Sequence, residues 1–145
     1  MWREIEWIIM DEKNEYGIDP TAYRIMIVDD IPVNTRLLEK ILEHERFQLF
    51  VFNNSAQALE SIHDVNPNVI LLDVMMPGVD GLSFLTRVRE MSEFDNTRIV
   101  MVSAVSEAEE VQKATNLGAN DYLTKPINLK RVISTVYNQI KQIKQ

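Results

Sequence analysis

Asp29 and Asp30 follow the apolar run at 24–28, Asp73 ends the run at 69–72, Ser103 follows 99–102, and Lys125 follows 122–124. Three carboxylates, a hydroxyl and an ammonium, each placed where an apolar stretch stops, are the groups that phosphoryl transfer requires. That reaction needs an in-line nucleophile, a metal to neutralise non-bridging oxygens, and fixed donors for the remaining charge. Carboxylates gathered at one place repel one another unless a cation sits among them, and an all-oxygen set suits a hard divalent ion such as Mg2+, with Mn2+ as a substitute. In such a site Asp73 is the nucleophile, as carboxylates are in aspartyl-phosphate formation. Asp29 and Asp30 hold the metal, and Ser103 and Lys125 receive phosphoryl oxygens.

The segments between these residues must bring them together. Strands are expected at Arg24–Val28, Phe47–Phe52, Val69–Leu72, Ile99–Val102 and Tyr122–Thr124, and helices at Pro32–Glu43, from Ser55 as cap to Asn66, at Gly81–Met91, at Ser106–Leu117 with Gly118 as stop, and after Asn128 to the chain's end. The first helix carries Val33, Leu37, Leu38, Ile41 and Leu42 at helical spacing. Strands alternating with helices imply a parallel sheet covered on both faces, because a parallel crossover needs room for a helix. This is a doubly wound α/β domain. Such sheets bind ligands beyond the carboxyl ends of their strands, where the five polar residues fall.

A chain of 145 residues makes one domain, and a net charge of −7 argues against direct nucleic-acid binding. With no cysteine, thiolate metal sites, disulfides and cysteine nucleophiles are excluded. The apolar run Trp7–Met10 is too short to span a bilayer, so no membrane association and a cytoplasmic location are expected. Residues 1–22 carry a net −4 and end in Tyr16, Gly17 and Pro20, which marks them as an N-terminal extension of a domain at 23–145. Trp2, Ile5 and Ile9 stand three and four apart, the spacing of a short amphipathic helix that would dock on its own domain or on a second copy, giving a homodimer. His44 and His63 read as solvated helix-side residues.

The motifs VDD at 28–30, LLDVMMPGVDG at 71–81, VSA at 102–104 and LTKP at 123–126 resemble those of bacterial two-component response-regulator receiver domains of the chemotaxis-regulator type, over about Arg24–Ile143. Each motif alone is weak, since paired aspartates after a strand are ordinarily turn residues, but four in the same order are specific. The resemblance implies a flavodoxin-like receiver fold with strand order 2-1-3-4-5 and a cis peptide before Pro126. It also implies phosphorylation of Asp73 by a sensor histidine kinase or phosphotransfer protein, with Mg2+ held by Asp29, Asp30, Asp73 and the main-chain carbonyl of Met75. Tyr122 falls at the aromatic switch position that works with Ser103, and the output is a downstream protein partner or an effector domain absent from this chain. The chain would be a phosphoacceptor and not an enzyme with a separate substrate.

Rival readings fit less well. Haloacid-dehalogenase-type phosphatases need aspartates two apart after the first strand, where this chain has Asp29 and Ile31. A flavin carrier would want donors in a first loop that instead offers carboxylates and Pro32. A phosphorylation-independent interaction module with the same fold is the remaining alternative.

Receivers that lose their phosphoryl group quickly tend to carry polar side chains two residues after the aspartate and two after the hydroxyl. Here those positions are Met75 and Val105, neither of which can orient a water. The phosphoryl state should therefore be long-lived, and Met75→Asn with Val105→Glu should shorten it in a decay assay; an unchanged rate refutes the reading.

Overall fold

The computed structural model describes residues 14–73, 81–104 and 107–143. Five parallel strands, β1 (Arg24–Val28), β2 (Gln48–Phe52), β3 (Val69–Asp73), β4 (Arg98–Ser103) and β5 (Asp121–Thr124), form one sheet in the order β2-β1-β3-β4-β5. Between and after them lie α1 (Pro32–His44), α2 (Ser55–Val65), α3 (Gly81–Arg89), α4 (Ala108–Asn116) and α5 (Leu129–Lys141). All five residues of β3 are buried, which explains its unbroken apolar run: a central strand between two helical layers has no solvent face. Register pairs Val28 with Leu72, Asp73 with Val102, and Ser103 with Thr124, so the polar strand ends lie side by side.

The core lies in two layers, one on each face of the sheet. One contains Met26, Ile70, Met101 and Phe84 with α2 and α3. The other contains Ile25, Ile27, Leu71 and Val100 with α1 and α5. Alternate residues of one strand thus feed opposite layers, as a pleated strand requires.

Local chemistry sets the helix ends with some departures from the sequence reading. Asn54, not Ser55, caps α2: its backbone is extended and its side chain accepts from Gln57 N–H, leaving Ser55 as the first helical residue. Asn66 closes that helix in the left-handed region at φ 48°. Asn128 caps α5 as expected, accepting from Arg131 N–H. The third helix stops at Arg89, and a 3-10 turn at Ser92–Phe94 inserts Phe94 into the core. Ser106 lies outside the described residues, and α4 runs from Ala108. Val33, Leu37 and Leu129 belong to the apolar pattern but stand 69%, 48% and 55% exposed.

Of the expected N-terminal extension, residues 1–13 and their amphipathic pattern lie outside the described residues. From Asn14 onward the chain packs on the α1/α5 face, with Tyr16, Ile18 and Tyr23 against that core layer. The Tyr16 ring stacks on Tyr137 of α5 at 4.4 Å, Lys141 Nζ stands over the Tyr16 ring at 5.3 Å from its centre, and Tyr137 Oη donates to Glu45 at 3.1 Å. Burial, and then the Glu45 carboxylate, push the Tyr137 hydroxyl well above its ordinary pKa.

At the amino ends of the strands, the Arg89 guanidinium donates to the carbonyls of Phe94, Thr97 and Gly118 and to Asn120 Oδ1, each at 2.9 Å. Asn120 Oδ1 also accepts from Ile99 N–H. Gly118 has φ 110°, and a Cβ there would come within 2.9 Å of Arg89 Cγ. Arg89→Met keeps much of the aliphatic stem but removes a charged donor from four acceptors, of which Asn120 Oδ1 keeps Ile99 N–H and Phe94 O keeps Thr97 N–H. It should therefore lower unfolding stability by about 2 kcal/mol or more in urea titration; an unchanged midpoint would show the clamp to be inert.

Candidate functional site

Asp29, Asp30, Asp73, Ser103 and Lys125 lie at or just beyond the carboxyl end of a strand, whereas the switch candidate Tyr122 lies inside β5. The Asp29 carboxylate is oriented by its own loop: Oδ1 accepts from Ile31 N–H at 2.9 Å, while the Asp29 amide extends the ladder to Phe52 O at 3.1 Å. Its other oxygen, Oδ2, lies 3.5 Å from Lys125 Nζ. The ammonium also stands 3.7 Å from Asp73 Oδ1, so one cation bridges the ends of β1 and β3 from beyond β5. Lys125 is held there by its amide, which donates to Ser103 O at 2.7 Å, and it is joined to Pro126 by a cis peptide.

Asp29 and Asp73 are buried, Asp30 is half-buried, and one oxygen of each of the three carboxylates lies within 4.8 Å of the others. Among the described residues, Asp30 Oδ1 is buried with no hydrogen-bond donor. A buried carboxylate oxygen without a partner is costly, and a hard divalent cation is the partner that an all-oxygen cluster suits. The donor set therefore fits such an ion. Ser103 is fully buried at the end of β4, beside this cluster in register, and Tyr122 is half-buried in β5 against the core layer of Met101 and Ala114.

The structure thus brings together Asp29, Asp30, Asp73 and Lys125, with Ser103 one strand away. Met75 lies outside the described residues. The histidines stand apart: His44 is exposed, and His63 pairs with Glu93 at 3.5 Å on the surface and meets the Phe94 ring edge-on.

Two supporting residues escaped the sequence reading. Asn53, just past β2, donates from Nδ2 to Asp29 O at 2.8 Å and to Thr35 Oγ1 at 3.0 Å, while the Thr35 hydroxyl donates to Pro32 O. They brace the loop carrying Asp29 and Asp30 against the neighbouring strand and the first turn of α1. The only sequence signal was the placement of a polar residue just past a strand in a sheet whose strand ends form the site.

Comparison with known proteins bears on this geometry. The family model described as response regulator receiver domain matches residues 25–137. The chain is 32% identical over 124 residues to the transcriptional regulatory protein TrcR of Mycobacterium tuberculosis, covering 86% of this chain and 48% of that protein. It is 32% identical over 113 residues to sporulation initiation phosphotransferase F of Bacillus subtilis, covering 78% and 90% of the two chains. The chain spans about half the length of several curated relatives that it matches. Among solved structures, a Francisella response regulator receiver domain superposes with a TM-score of 0.78 at 29% identity, covering 84% of this chain and 99% of the other.

The cluster makes a metal-binding prediction. Calorimetric titration with Mg2+ should show one ion per chain. Asp30→Asn should weaken binding by about tenfold or more, the loss that even outer-sphere partners of metal ligands produce. Lys125→Met should strengthen it, because the competing ammonium is gone. Equal affinity in all three proteins would remove the cluster as a cation site.

Proposed function

Because the chain belongs to the family of response regulator receiver domains, which take phosphoryl groups from histidine kinases or phosphotransfer proteins, we propose that Asp73 is its phosphoacceptor. The observation that carries this reading is the Lys125 ammonium 3.7 Å from Asp73 Oδ1, at the rim of a three-carboxylate cluster with an orphaned buried oxygen.

An Asp73 oxygen attacks phosphorus in line with the phosphorus–nitrogen bond of a phosphohistidine donor. The new oxygen–phosphorus bond forms as the electron pair of the old bond leaves with the imidazole nitrogen. Lys125 pairs with a phosphoryl oxygen in place of the carboxylates it now bridges, and the Ser103 hydroxyl donates to another. Asp29, Asp30 and Asp73, with the Met75 carbonyl added on the family resemblance, would hold Mg2+, whose charge would offset that of the phosphoryl oxygens. Asn53 and Thr35 keep the Asp29 loop in place throughout.

Movement of Ser103 toward the phosphoryl group frees space into which Tyr122 repacks. That biases a two-state surface made of α4, β5 and α5, where a downstream protein partner binds. No helix among the described residues is long and apolar enough to cross a membrane, and the action we assign is cytoplasmic.

Incubation with acetyl phosphate and Mg2+ should add a single phosphoryl group by intact mass, with the label lost in Asp73→Asn or under chelation. Labelling that survives either change would overturn the assignment and favour an interaction module that works without phosphorylation.

A further inference from the structure

Residues 29–32 carry the chain from β1 into α1, and their backbone groups are tied down on either side of Asp30. The Asp29 amide donates to Phe52 O, the Ile31 amide to Asp29 Oδ1, and Ile31 O accepts from the amides of Asn34 and Thr35. Pro32 O accepts from the Thr35 hydroxyl at 3.0 Å. Asp29 O accepts from a side chain of another connection, Asn53 Nδ2, at 2.8 Å. That carbonyl belongs to the peptide unit that carries Asp30. The unit is planar, so its atoms from Asp29 Cα to Asp30 Cα turn together, and the direction of the Asp29 carbonyl sets where Asp30 begins. Among the described residues, Asp30 supplies the buried side-chain oxygen that has no hydrogen-bond donor.

Asn53 is exposed, and an exposed amide ordinarily gains little from a hydrogen bond because water competes for it. Two features offset this. Its backbone is held on both sides: Phe52 closes β2 opposite Val28, and Asn54 caps α2 by accepting from Gln57 N–H. Its Nδ2 also donates twice, the second time at 3.0 Å to Thr35 Oγ1, a buried hydroxyl that directs its own proton to Pro32 O and so presents lone pairs to the amide. Hydrogen bonds then run in one direction, from amide to hydroxyl to carbonyl, and each favours the next.

We propose that Asn53 is a positioning residue for the divalent cation: it fixes the Asp29–Asp30 peptide plane, Thr35 holds the Asn53 amide in place, and the Asp30 carboxylate is thereby kept at the spacing that the cluster needs. The inference rests on the three carboxylates being the cation site, and adds the residue that shapes that site from outside. The Asp29 carboxylate has anchors of its own in Ile31 N–H and Lys125, so the loss of Asn53 falls on Asp30. Outer-sphere partners of metal ligands change affinity by about 10- to 100-fold.

Calorimetric titration of the intact protein with Mg2+ tests this, beside urea unfolding of each variant. Asn53→Ala, at an exposed position, should keep the fold and weaken binding by about tenfold. Thr35→Val should weaken it by a smaller factor, because Asn53 keeps its bond to Asp29 O, and Thr35→Ser, which keeps the hydroxyl, should bind as the parent does. The double variant Asn53→Ala/Thr35→Val should bind no more weakly than Asn53→Ala alone, since the hydroxyl acts through the amide. Arg89→Met, at the far end of the strands, should leave Mg2+ affinity at the parental value although it lowers stability. Parental affinity in Asn53→Ala overturns the positioning role and leaves the cation site standing, as does an Arg89→Met protein that binds as weakly as Asn53→Ala, which would make the effect one of stability alone. Thr35→Ser binding as weakly as Thr35→Val overturns the part assigned to the hydroxyl. A parent that binds no Mg2+ overturns the cation site itself, and this inference with it.

Discussion

Three carboxylates held within 4.8 Å of one another are the constraint around which this domain is organised. Two like charges about 4 Å apart repel by roughly 4 kcal/mol at the effective dielectric typical near a protein surface. Lys125 contributes one positive charge against three negative ones and divides it between Asp29 and Asp73. Side chains alone would not hold such a cluster; the parallel ladder does, because its register fixes the strand ends before any side chain is placed. The cluster stays strained toward cations and toward any group that redistributes the lysine, which is what a phosphoryl-accepting site needs.

How far the sequence revealed this follows from what each residue depends on. VILLD at 69–73 reads as a doubly covered strand ending in a carboxylate because its burial is a property of its own residues. The order of the strands and the identity of the cluster were legible through the same strand ends and their resemblance to receivers. Asn53 was not, since its contacts with Asp29 and Thr35 depend on elements 24 and 18 residues distant. Ser55 and Asn54 are both competent caps, and the choice rests on which of them takes the extended backbone. Val33 and Leu37 share the apolar period of α1 but sit on its flank, where periodicity counts them as core and geometry leaves them exposed.

Tyr137 shows how the second core layer ties the chain's ends together. Fully buried in α5, it takes the Tyr16 ring on one side and Phe47 on another, and gives its hydroxyl to Glu45, 92 residues away in sequence. Aromatic stacking and a charged acceptor in one place favour a single arrangement over several nearly equal ones. The path of the residues just before β1 is thereby set by the last helix.

At the opposite end of the sheet from the carboxylates, Arg89 binds the carbonyls of Phe94 and Thr97 in the α3–β4 connection, and the Gly118 carbonyl and Asn120 side chain in the α4–β5 connection. The two ends of β4 and β5 are thus unequal in mechanical terms. One is a foot, cross-braced through a single guanidinium that cannot release one connection without loosening the other; the other is a rim where charge is concentrated and the lysine has two alternative partners. A perturbation at the rim meets a fixed base, so displacement travels sideways from strand end to strand end and does not dissipate down the sheet. Amide exchange would accordingly be graded along β4 and β5, slow at the foot and faster toward the rim.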